Sequence, residues 1–140
     1  MINIALSHMI IEQTKNYQHR IKYNPASNSF TETDRLSLFF ERGCPYPYGW
    51  IEESGTPPEY HKDVILVSDL EYELGDRLEV KLIGIFKRAD GDHKWVAVPT
   101  HRTVDDLFQL SEEELNHLNK LYPSIGEGEG WFGILSIVRY

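Results

Sequence analysis

A chain of 140 residues suits one domain and is long enough to bury a real core. Its 41% hydrophobic and 12% aromatic content excludes a disordered chain. A formal net charge of −8 argues against a nucleic-acid backbone binder and against an anionic membrane surface, but leaves room for a small phosphate ligand met by a few placed cations.

The only cysteine is Cys44, so no internal disulfide forms and a reducing compartment is expected. The stretch MINIALSHMIIEQTK lacks a basic leader and a cleavage signature, and no apolar run reaches membrane-span length. The expectation is a soluble, cytoplasmic, single domain over residues 1–140.

In chain order, residues 1–12 read as a strand ending near Glu12. Ile21–Tyr23 is a short strand, 24–29 a turn, and 30–38 its hairpin partner. Arg42–Ile51, RGCPYPYGWI, carries two prolines and two glycines among aromatics and reads as ordered loop or edge, because proline lacks a ladder donor. Residues 52–62 form a second loop. Asp63–Ser68, DVILVS, is an apolar run of strand length, buried on both faces. Arg77–Lys87 is a long strand that leads into the stretch KRADGDHKWVAVP.

There Asp90-Gly91-Asp92 is hairpin-turn chemistry, since glycine accepts the positive φ such a turn requires. Two ionised carboxylates ~4 Å apart repel by roughly 4 kcal/mol at an effective dielectric of about 20. The pair is therefore either a solvated hairpin tip or half of a hard-cation site. Further on, Ser111 and Glu114 have capping-box spacing, and Leu110, Leu115, Leu118 and Leu121 share one face of a helix that Pro123 ends. No other helix is evident. GEGEG at 126–130 reads as a mobile acidic connection, and residues 131–140 are apolar enough to pack back onto the body or a neighbouring subunit. The whole reads as a β-rich domain with at least one helix attached, most economically a small closed or nearly closed barrel.

Several segments, taken in order, resemble the soluble (family I) inorganic pyrophosphatases. Lys22 and Tyr23 followed by Asp34 and Arg35 resemble the substrate-side lysine and arginine pair. Pro45-Tyr46-Pro47-Tyr48-Gly49-Trp50-Ile51 resembles the YPxNYGxI loop, and Asp63-Val64-Ile65-Leu66-Val67 resembles the end of the DGDPxD-VLV signature. Asp90-Gly91-Asp92-His93-Lys94 resembles the metal hairpin with its phosphate lysine. Leu121-Tyr122 resembles the C-terminal helix tyrosine, and Glu12 stands about where the family has its first metal-linked glutamate.

The resemblance implies a mainly β fold, a five-stranded OB-like closed barrel with one or more peripheral helices. It also implies Mg²⁺-dependent hydrolysis of pyrophosphate to phosphate, with carboxylate-held metal activating a water. On that reading Asp63, Asp90, Asp92 and Glu12 hold metal, and Lys22, Arg35, Tyr48, Lys94 and Tyr122 bind substrate.

This chain departs from the pattern. The first two signature aspartates fall on Pro58 and Tyr60, and the position of Tyr60 is the family's general base. Asn24, Pro47 and Pro123 replace other family residues. Loss of a general base costs about 10²–10⁴ in rate. Weak or absent hydrolysis at a weakened Mg²⁺ site is therefore expected, with Glu59 or His61 as substitutes for the base. The alternative is a non-catalytic module binding phosphate, a nucleotide or a protein partner, and a homo-oligomer is compatible with either.

The residues also have plain readings. Lys22 and Arg35 suit solvated strand charges, Tyr48 suits packing, and Lys94 an exposed hairpin charge. Asp63 is different, because a carboxylate entering an apolar strand needs a partner or a metal. The six histidines show no zinc-ligand spacing, and Cys44 has no base beside it. The expectation that ties these together is spatial. Asp63, Asp90 and Asp92 should converge on one pocket fringed by cationic and phenolic groups.

Overall fold

The structure, a computed structural model, describes residues 6–123 and 129–134. Eight strands run β1 (Leu6–Gln13), β2 (His19–Asn24), β3 (Ser29–Leu36), β4 (Tyr48–Ile51), β5 (Asp63–Leu66), β6 (Arg77–Lys87), β7 (Lys94–Pro99) and β8 (Gly130–Gly133). Helix α1 (Leu38–Glu41) precedes β4, and α2 (Glu112–Leu121) lies between β7 and β8. β1, β4, β5, β7 and β6 are neighbours in that order, and β1 also pairs with β6, so five strands close into a mixed barrel. β6 is long enough, at 11 residues, to pair with β1 through its first half and with β8 through its second. β2 and β3 form a separate hairpin.

The expected five-stranded barrel with peripheral helices is therefore present. Alternation along its strands sorts the side chains into two layers. Met9, Ile11, Val64, Leu66, Val80, Leu82, Ile85, Trp95 and Ala97 fill the interior. On the outer face Ile65, Val67, Val96 and Val98 pack beneath Phe39, Leu107, Leu110, Leu118 and Leu121. β5 is buried on both faces, as its unbroken apolar run implies. The helix signal is equally direct. Ser111 Oγ accepts from the Glu114 amide at 3.1 Å and Glu114 returns the contact to the Ser111 amide at 3.0 Å. Full burial of Leu118 and Leu121 then contributes roughly 1.5–3 kcal/mol each.

Two expectations are corrected. Tyr48–Ile51 is a strand between β1 and β5, not loop or edge, because the prolines at 45 and 47 stop short of it. α1 was not expected, and its single turn is too short to carry a helical period. It forms because Phe39 is buried in the outer layer, with the Phe39 carbonyl accepting from the Cys44 amide at 2.9 Å. Trp131–Gly133 packs back onto β6 as expected, whereas most of GEGEG and residues 135–140 lie outside the described residues.

The β1–β4 pairing carries a bulge between Ile11 and Gln13, opposite Gly49 and Tyr48. A Cβ on Gly49 would lie 1.8 Å from the Ile10 carbonyl oxygen, so only glycine lets β4 approach the bulged strand. Gly49→Ala is expected to destabilise the chain by about 3 kcal/mol or more. A urea-unfolding midpoint within error of the parent's would contradict this account of the contact.

Candidate functional site

The site is built on the outer face of the barrel, where the parallel pair β5–β7 begins. The register sets Asp63 beside Lys94, and the period of two carries both onto the face that also holds Ile65 and Val96. Lys94 Nζ donates to Asp63 Oδ2 at 2.8 Å, to Asp92 Oδ2 at 3.2 Å and to the Tyr48 hydroxyl at 3.2 Å. The negative charge of Asp63 also acts on the Tyr48 phenol. On the other side, His61 Nε2 lies 3.0 Å from Asp63 Oδ1, and its Nδ1 lies 2.7 Å from the Glu59 carbonyl oxygen. Both oxygens of Asp63 are thus engaged, and Lys94 is itself only 6% exposed.

Glu12 enters from the β1 bulge, the kind of irregularity that re-aims a side chain. Burial, and next the negative charge of Asp63, hold its carboxyl above the usual glutamate range, while His61 and Arg20 pull the other way. Burial opposes the charge of Lys94. The charge and hydrogen bond of Asp63, with Tyr122 and Asp92 behind them, outweigh it and raise the lysine pKa. Burial pushes both phenols up, Tyr48 well above its ordinary value, so both remain donors at neutral pH.

The hairpin tip adopts the expected turn, with Gly91 at φ 82° and the Gly91 amide donating to the Arg88 carbonyl at 3.1 Å. Asp92 reaches inward to Lys94. Asp90 instead accepts from the Asp92 amide at 2.9 Å, a bond that holds its carboxyl below the usual range. Arg88 lies 3.5 Å from Asp90 and 3.7 Å from Asp92, with its guanidinium carbon 5.8 Å from the Tyr122 ring centroid. Tyr122, just past α2, stacks on Phe86 at 5.1 Å, and Trp131 closes against both rings.

Of the residues singled out from the sequence, Asp63, Asp92, Lys94, Tyr48 and His61 are joined directly. Glu12 and Tyr122 act on them through charge, and Asp90 stands one step outside. Two of the three acids, Asp63 and Asp92, meet on Lys94, while Asp90 is linked to Asp92 through its amide and through Arg88. Lys22 and Arg35 are exposed on β2 and β3, and among the described residues neither has a hydrogen bond or ion pair to this cluster. The side chain of Glu59 is exposed and only its carbonyl takes part, whereas Tyr60 is 78% exposed. Burial raises the Cys44 thiol pKa to about 11, which fits a packing role.

Arg88, Phe86 and Trp131 were not foreseen. Arg88 stands four residues before Asp92 at the edge of the turn, a spacing that could have drawn attention to it. The ring stack joins segments far apart in sequence and left no local signal.

Lys94→Ala would leave Asp63 without its cation in a largely buried setting and is expected to cost about 3 kcal/mol. Retained stability in chemical denaturation would contradict the pairing. Glu12 has the opposite sign. Its folded-state pKa is raised, so its contribution to stability is full below about 4.5, the unfolded value, and is lost as pH rises through the folded value. Glu12→Gln should therefore melt higher than the parent at pH 7, with the difference shrinking toward pH 4. A lower melting temperature at pH 7 would refute that placement.

The family model for inorganic pyrophosphatase matches residues 9–134. The inorganic pyrophosphatase of Sulfolobus acidocaldarius is 29% identical, the match covering 71% of this chain and 67% of that protein. Among solved structures, the inorganic pyrophosphatase from Ehrlichia chaffeensis superposes with a TM-score of 0.72 at 23% identity, over 97% of this chain and 90% of that one. The Neisseria gonorrhoeae inorganic pyrophosphatase gives a TM-score of 0.73 at 22% identity, over 96% and 86%. The structural matches speak to the barrel, and the family match spans the strands, the hairpin and α2. The chain belongs to the inorganic pyrophosphatase family.

Proposed function

We propose that the pocket around Lys94 takes pyrophosphate or phosphate, and that the hydrolysis of pyrophosphate for which the family is known is weak or lost in this chain. The observation that carries this reading is the saturation of Asp63. Its two oxygens are committed to His61 and Lys94. Lys94, Tyr48 and Tyr122 form the phosphate-binding set, with Lys22 and Arg35 as the more distant cations.

Mg²⁺ demands near-octahedral oxygen ligation with several waters retained. The donors here do not fit it as they stand. Lys94 occupies the space between Asp63 and Asp92, Arg88 lies against both Asp90 and Asp92, and among the described residues no three His, Cys, Asp or Glu side chains group as a cation site. A divalent ion would have to displace a buried ammonium, which is our account of a weakened Mg²⁺ site. The base is equally compromised. Tyr60, in the position of the family's base, is exposed on a loop. His61 lies against Asp63, but its two ring nitrogens already face the Asp63 carboxylate and the Glu59 carbonyl oxygen. Binding without turnover is therefore the second reading, of phosphate or a nucleotide. A cytoplasmic setting and homo-oligomeric assembly complete the proposal, resting on the lone cysteine and the apolar segment 131–140.

Phosphate release from pyrophosphate with Mg²⁺ or Mn²⁺ tests the reading. The expected rate lies about 100-fold or more below that of an inorganic pyrophosphatase assayed beside it. The double substitution Pro58→Asp with Tyr60→Asp should raise it. Turnover equal to the comparison enzyme, abolished by Asp63→Ala, would overturn the proposal.

A further inference from the structure

We propose that Arg88 and Lys94 together take the place of the divalent cation, so that a phosphate-type anion binds this pocket without metal. The inference rests on the pocket being an anion site, as argued above. Lys94 supplies a fixed charge between Asp63 and Asp92. Arg88 supplies a second from the hairpin edge, its guanidinium carbon 5.8 Å from the Tyr122 ring centroid. Its ion pairs to Asp90 and Asp92 are long, at 3.5 and 3.7 Å, and both carboxylate side chains are 58% exposed. Pairs of that kind contribute little.

A guanidinium presents parallel donors that match phosphate oxygens in a bidentate, charge-assisted geometry. Exchanging the two loose partners for one phosphate group is therefore favourable, and Asp90 and Asp92 return to water. Asp63 and the neighbouring Glu12 are the buried acids that would repel an anion. Lys94 already pairs with Asp63, and burial beside Asp63 disfavours the charged form of Glu12, so the repulsion is reduced. Tyr122 completes the set as a neutral donor.

The test is calorimetric titration of the full chain with imidodiphosphate, a non-hydrolysable pyrophosphate analogue, once in EDTA and once in Mg²⁺. Saturable binding in EDTA is expected, with an affinity within about threefold of the Mg²⁺ value. Arg88→Gln should weaken it about tenfold or more, and Arg88→Lys should recover part of the loss. Binding seen only with Mg²⁺ would overturn metal independence and leave the anion pocket standing. Absence of binding in both buffers would overturn both. Unchanged affinity in an Arg88→Gln protein with the parent's melting temperature would remove Arg88 from the site. The EDTA titration uses the unaltered chain, so the metal question is decided whatever the variants do.

Discussion

The contact between Lys94 and Asp63 depends on the parallel pairing of β5 with β7, and the rest of the pocket depends on that contact. An ammonium and a carboxylate ~4 Å apart attract by about 4 kcal/mol at an effective dielectric near 20. Removing both from water costs a comparable amount, so the pair contributes little net stability. Its consequence is positional. It fixes one positive charge at the rim of the outer hydrophobic layer and draws Tyr48, His61 and Asp92 around it.

The surrounding elements supply what the pair lacks. The bulge in β1 turns Glu12 toward Asp63, and Gly49 is the residue that lets β4 lie against the bulge. The β6–β7 hairpin brings Asp92 and Arg88 to opposite sides of its turn, and α2 ends where Tyr122 can stack on Phe86. Each is an irregularity or terminus of a regular element. The barrel supplies rigidity, and the chemistry collects where its strands stop.

Membership in a family whose activity is pyrophosphate hydrolysis does not by itself carry catalysis to this chain, because fold and function separate readily. The barrel needs only alternating apolar residues and good turns. Catalysis needs particular oxygens at particular distances, which apolar alternation and good turns do not by themselves supply.

The strands at Asp63–Leu66, Arg77–Lys87 and Lys94–Pro99, the turn at Gly91 and the capped helix from Ser111 were all determined by the sequence itself. Apolar period, glycine at positive φ and capping spacing are local signals, readable within a dozen residues. Only the tertiary structure decided that β4 is a strand, that α1 exists and that Arg88 lies against Asp90 and Asp92. It also decided that Lys94 is buried rather than exposed at a hairpin edge. Those outcomes follow from contacts between residues far apart, as between Lys94 and Asp63, 31 positions away, and Tyr48, 46 away. Such contacts are set by register across a closed barrel, which no local pattern encodes.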